Sequence, residues 1–142
     1  MARPHSRLRS FGRRDEGAVL VEFAIVGPVL VVMLLGIVAY GGYFWLSHAV
    51  QQMANDAARS ALAGLDATER AALARSSMSS SLASYAFLDA ASARVTVADD
   101  ATNLKVSIDY DASGSPFWAI RGLVPLPSST ITRQASIRLG GY

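Results

Sequence analysis

Apolar and polar positions alternate along this chain with three successive rhythms. The first is hardly a rhythm: from Phe23 to Leu46, 24 residues pass without a formal charge. As a helix rising about 1.5 Å per residue, they cover about 36 Å, enough to cross a hydrocarbon core of about 30 Å with some tilt. Beyond it, apolar residues fall at 50, 53, 54, 57, 58, 61, 62 and 65, with Gln51, Gln52, Asn55, Asp56, Arg59 and Ser60 between them. Spacings of three and four draw one stripe and predict that the same helix leaves the membrane and continues as an amphipathic one. Alanine dominates the stripe, so whatever packs there approaches closely. Gly64 is the expected stop.

Asp66-Ala67-Thr68-Glu69 has the form of a capping box. It predicts a second helix to about Ser80, with Ala71, Leu73, Ala74, Met78 and Leu82 facing inward. The serines from Ser76 to Ser81 read as solvated helix-end residues. The last third then changes to period two. Val95 and Val97 alternate with Arg94 and Thr96; Leu104, Val106, Ile108 and Tyr110 alternate with Lys105, Ser107 and Asp109. The link Asp99-Asp100-Ala101-Thr102-Asn103 makes these two runs a β-hairpin, its acids reading as a solvated turn in preference to cation ligands. Ile131, Ala135, Ile137 and Leu139 form a third strand, in which Arg133 falls on the apolar side and needs an edge or an acidic partner. Between hairpin and third strand, Asp111 to Ser129 is a loop whose Phe117-Trp118-Ala119-Ile120 and Leu123-Val124 either cover the core or form a partner surface. The expected fold class is α+β: a long transmembrane-then-amphipathic helix, a second short helix and a small three-stranded antiparallel sheet.

Charge fixes the orientation this reading expects. The net charge of +2 is unevenly placed. Residues 1–16 carry Arg3, Arg7, Arg9, Arg13 and Arg14 against Asp15 and Glu16, whereas the remainder is slightly acidic. Basic residues flanking a span stay cytoplasmic, so residues 1–17 read as an unstructured cytoplasmic leader, 18–46 as the transmembrane helix, 47–65 as its amphipathic continuation and 66–142 as a small periplasmic domain. A nucleic-acid arm is the rival for the arginines, but attachment to a span favours topology, and no nucleic-acid partner is expected. Arg13-Arg14 is followed by acids, unlike a twin-arginine export signal. Ser47-His48-Ala49 offers small residues for signal cleavage, yet the apolar run exceeds the 7–15 residues or so of a signal peptide. A chain of 142 residues is also too small to bury such a run on all sides as a soluble core helix.

Within the run, Gly27-Pro28 removes the hydrogen bond to the Ala24 carbonyl and predicts a kink or local unwinding. Gly36, Gly41 and Gly42 thin the helix for a close neighbour, without the GxxxG spacing of a defined dimer face. Tyr40, Tyr43, Phe44 and Trp45 read as an interfacial aromatic belt.

Nothing in the sequence suggests catalysis. There is no cysteine, Ser115 lies in Gly-Ser-Pro and not in a nucleophile elbow, and the two histidines, His5 and His48, stand apart from the soluble part. No phosphate-binding glycine loop occurs. The expectation is a protein without enzymatic activity, cofactor or metal.

The chemistry that stands out is Glu22, one acid at the head of the apolar run, five residues after Gly17. A basic leader ending in glycine, then Ala18, three apolar residues, Glu22 and Phe23, resembles the processing site of type IV pilin precursors. More narrowly, Gly-Ala-Val-Leu-Val-Glu-Phe-Ala-Ile-Val-Gly-Pro-Val-Leu, Gly36-Ile37-Val38 and Asn55-Asp56-Ala57-Ala58-Arg59 resemble the TadE-like family, minor pseudopilins of tight-adherence (Tad, or Flp) pilus systems. The resemblance covers about residues 15–65. It departs from the family at Ala39, where an acid is expected before Tyr40-Gly41. It implies cleavage by an inner-membrane prepilin peptidase between Gly17 and Ala18, and partners among other pilins, pseudopilins and the inner-membrane pilus platform. It also implies a register role for Glu22 and Phe23, the Glu22 carboxylate being neutralised by a neighbouring Ala18 amine. The bland alternative leaves Glu22 at the membrane interface, favoured by a helix N-terminus. The alternative function is an unprocessed single-span anchor for a small binding or scaffold domain.

Overall fold

The computed structural model describes residues 12–85, 87–100 and 102–140, with side chains from Gly17 onward. Most of the leader, residues 1–11, lies outside the described residues. Helix α1 runs without interruption from Gly12 to Ala61 and has Pro28 in its interior. The leader expected to be unstructured is therefore helical from Gly12. The helix also carries on through Gly27-Pro28 with no unwound segment, the lost bond at Pro28 being one among some fifty.

Helix α2 (Ala67–Ser84) starts on its expected cap: Asp66 Oδ1 accepts from the Glu69 N–H at 2.8 Å. The Glu69 carboxylate reaches back to the Leu65 N–H, also at 2.8 Å. The helix outlasts its expected end at Ser80 by four residues, and Ser79 and Ser80 donate to the Ser76 carbonyl. Strands β1 (Ala93–Asp99), β2 (Asn103–Asp111) and β3 (Thr130–Arg138) pair antiparallel in the order β1-β2-β3. Val95 stands opposite Ile108, and Tyr110 opposite Ile131. The expected α+β architecture is the observed one.

Both helices pack on one face of the sheet, α1 across β2 and β3, and α2 against β1. One buried cluster joins Leu46, Val50, Met53 and Ala54 of α1 with Leu82, Ile108, Tyr110, Trp118 and Ile131. A second joins Ala57, Ala58 and Ala61 with Ala74, Leu104 and Val106. The alanine stripe is the contact surface, as its spacing predicts, but it stops at Ala61. Leu62 and Leu65 are exposed, Leu65 to 89%. The chain turns away there through successive short bonds from Leu62, Ala63 and Gly64 to the carbonyls three residues earlier.

Gly64 is needed for proximity and not for a left-handed stop. A Cβ at this position would lie 2.7 Å from the Arg70 backbone nitrogen. Arg70 in turn donates through Nε to the Gly64 carbonyl at 3.1 Å and through Nη1 to Asp99 Oδ2 at 2.6 Å. Of the two hairpin acids, Asp100 accepts from the Thr102 and Asn103 N–H groups. Asp99 is mostly buried and ion-paired to the helix, a correction to its reading as a solvated turn residue. Arg133 finds its edge: β3 is an outer strand, and Nη1 donates to the Thr132 carbonyl.

The segment Asp111–Ser129 covers the core, the first of its two expected roles, through Trp118 and Phe117. The Ala112 N–H donates to the Ser129 carbonyl at 2.8 Å and closes this segment into a compact loop. A short 3-10 turn at Pro116–Trp118 within it is capped by Ser115. The loop lies against α1 upstream of Leu46. A Cβ on Gly36 would touch Val124 at 3.8 Å, and one on Gly42 would overlap the Phe117 ring. Tyr40 donates to the Pro125 carbonyl at 2.7 Å, and Tyr43 packs on Trp118 with ring centroids 6.0 Å apart. The glycines' close neighbour is thus this chain's own loop. Tyr40 and Tyr43 anchor the loop and are not part of a free aromatic belt; Trp45 meets Tyr85 edge-on, while Phe44 remains exposed.

Gly42→Ala is expected to force Phe117 aside and to cost about 1–3 kcal/mol through overpacking. Gly41→Ala, with nothing within 4 Å of the added methyl, is expected to be neutral or stabilising. Thermal unfolding of the two variants in detergent checks the contrast.

Candidate membrane and assembly helix

Burial divides α1 into two parts. From Gly17 to Val38, every residue is exposed except Gly27, Leu35 and Gly36, which are half-buried. Apolar side chains point outward all round: Phe23 is 73% exposed, Leu20 70% and Ile25 65%. From Ala39, itself 1% exposed, the helix enters the folded domain, and Ser47 and Ala49 are buried in it. The small residues weighed for signal cleavage, Ser47-His48-Ala49, lie here. A cut after Ala49 would remove Leu46 from the core, which tells against the secreted reading.

A helix of this length and apolarity, unburied by its own chain, fits a single-pass membrane protein. The uncovered part is the stretch whose surface suits a membrane. Its apolar surface has no partner within the chain, and exposure of that much apolar area to water would be strongly unfavourable.

The processing-site and register residues all lie on this uncovered part. Gly17 and Ala18 are exposed and helical, five and six residues into α1. Gly17 has no packing reason to be glycine, since a Cβ there would meet nothing within 4 Å. Glu22 is exposed, and among the described residues no hydrogen-bond or ion-pair partner reaches it. Phe23 lies one turn before Gly27, and its ring edge comes within 3.7 Å of where a Gly27 Cβ would be. The helix brings Gly17, Ala18, Glu22 and Phe23 within its first turns, and among the described residues no counter-charge reaches the acid.

Residues 17–59 match the family model described as TadE-like protein. Over these residues the helix is similar to the TadE-like family. The match begins at Gly17 and ends two residues before α1 does, so it covers both the free and the packed parts of this element and none of the sheet. No curated protein and no solved structure matches the chain. The match covers under a third of the chain and likens its long helix to that of TadE-like proteins.

The departure at Ala39 has a structural reason. Ala39 is buried between the Val124 and Phe117 contacts of the loop, on the face that carries Gly36 and Gly42. The i, i+3, i+6 spacing of these three small residues was visible in the sequence and predicts a close neighbour on that side. What it could not reveal was which segment. A carboxylate at 39 would be buried without a counter-charge.

Elsewhere, charges serve the fold. The Ser113 backbone N–H donates to Asp111 Oδ1 at 2.9 Å, and this bond, with that of the Ser113 hydroxyl, holds the Asp111 carboxyl below its ordinary pKa. Among the described residues no group of three or more histidines and acids is placed to hold a metal.

Ala39→Glu is expected to destabilise the domain by roughly 3–5 kcal/mol, the cost of an uncompensated buried charge. The loop should come off α1, and faster tryptic cleavage at Arg121 in the folded protein would report it.

Proposed function

We propose that this chain is a minor pilin-like (pseudopilin) subunit of tight-adherence pilus biogenesis, inserted in the inner membrane with its N-terminus cytoplasmic and its domain periplasmic. A prepilin peptidase cuts it between Gly17 and Ala18. The 125-residue product then joins other pilins or pseudopilins at the membrane platform through its N-terminal helix. In this reading the chain is a structural subunit and performs no catalysis.

The observation that carries the reading is the uncovered TadE-like helix with one unpartnered acid near its head. An acid within the bilayer centre costs about 2.5–3.5 kcal/mol on insertion scales, and less near the interface. Cleavage creates an α-amino group at Ala18, one turn before Glu22. In a single helix that amine lies beside the acid; in a bundle of staggered copies, a neighbour's amine reaches it and fixes the axial register. Gly17 supports the same reading from the other side. Its missing side chain serves nothing within the chain, while a peptidase needs close access to the backbone. Because the scissile bond is helical in the precursor, cutting requires the first turns to open. Glycine at that point lowers helix stability by about 1 kcal/mol relative to alanine.

N-terminal sequencing of the membrane-bound protein separates this reading from an unprocessed anchor: a start at Ala18 supports the pilin reading and an intact leader the anchor. Gly17→Leu is expected to leave the precursor uncut. Glu22→Ala is expected to be cut normally yet to impair pilus assembly, and normal piliation by this variant would remove the pairing argument.

A further inference from the structure

The loop 116–126 sits at a height along α1 that water does not reach in a spanning helix. About twenty helical residues cross a hydrocarbon core of about 30 Å. Counted from Glu22 at one headgroup boundary, that length ends near Gly42. Yet Val124 lies against Gly36, Pro125 is bonded to Tyr40 and Phe117 overlies Gly42. On the side that faces the loop, the helix from Ala18 to Leu35 provides only about 27 Å before Val124 meets Gly36. A bilayer thick enough to cover the free helix therefore meets the loop as well.

The loop's outer surface suits such contact. Leu123 is 65% exposed beside the buried Val124, Ile120 is half-buried, and Arg121 between them is exposed. Phe44 and Trp45 are exposed near the same height on α1. Trp118, Arg121, Pro125, Leu126, Pro127 and Ser129 line an open concavity of about 340 Å³, in which Arg121 is the charged residue. Apolar side chains flanking one cation match the boundary between acyl chains and phosphates.

We propose that the loop 116–126 is a second membrane-contact element, seated in the leaflet on the domain's side. Leu123 and Ile120 touch acyl chains, and Arg121 lies at the phosphate level. The loop then fixes how far α1 can sink into the bilayer and holds the domain against the membrane surface. This rests on α1 being the membrane span.

The chain lacks cysteine, so single substitutions can be labelled cleanly. Leu123→Cys, Leu30→Cys and Leu65→Cys, each carrying an environment-sensitive fluorophore, are compared in the full chain reconstituted into phosphatidylethanolamine–phosphatidylglycerol vesicles. Leu30 lies in the span and Leu65 at the far tip of the domain. The expected result is blue-shifted emission and loss of fluorescence with spin-labelled phospholipid at positions 30 and 123, and neither at 65. Arg121→Glu is expected to weaken the quenching at 123. A label at 123 that behaves like the one at 65, while 30 is quenched, overturns the proposal and leaves the span intact. A label at 123 that is shielded from water but unquenched by lipid also overturns it, because a protein surface then covers the loop. Water-like signals at both 30 and 123 overturn the span together with the proposal.

Discussion

Close approach along one face of α1 is the interaction on which the rest of this structure depends. Gly36, Ala39 and Gly42, then Ala49, Ala54, Ala57, Ala58 and Ala61, keep that face nearly flat. The loop lies on its first part, and α2 and the sheet on its second. Small side chains lose little rotamer freedom on burial and let backbones come close, so many weak contacts accumulate over a long interface. Larger residues (Leu46, Val50 and Met53) fill the space where loop, sheet and α2 meet. A small domain obtains its core in this way by using a membrane helix as one of its walls.

That arrangement makes one helix serve two surroundings. Its first half is apolar on every side and uncovered; its second half is apolar on one side only. The border between them lies at Ala39, inside the uncharged run and seven residues before its end. Because the helix is continuous from Gly12 to Ala61, the domain and the Glu22 end are held on one rigid rod, with Pro28 between them leaving the helical assignment unbroken. A contact that fixes the height of Glu22 in a bundle of helices therefore fixes the height of the domain as well.

Much of this was legible in the chain itself. The capping box at Asp66, the hairpin of two alternating runs, and an edge as one of the two settings open to Arg133 all follow from local pattern and are all present. Each depends on neighbours in sequence or on a period of two, where side-chain geometry leaves little choice. The TadE-like character of residues 17–59 was equally legible, being written in a short contiguous motif. The misjudged residues share a different feature. Asp99 was read by its turn and is paired with Arg70, 29 positions away; Tyr40 was read by its place at a membrane edge and bonds to Pro125, 85 positions away.

The sequence by itself determined the elements and the long apolar segment, because periodicity, caps and a long uncharged run act over a few turns or strand residues. It also left room for a close neighbour, since Gly36, Gly41 and Gly42 thin the helix surface. Only the tertiary structure decided that this neighbour is the Phe117–Val124 loop, and hence where the free helix ends. Contacts across some eighty residues depend on how sheet, loop and helix pack together, and no local preference encodes which apolar loop will fill a given groove.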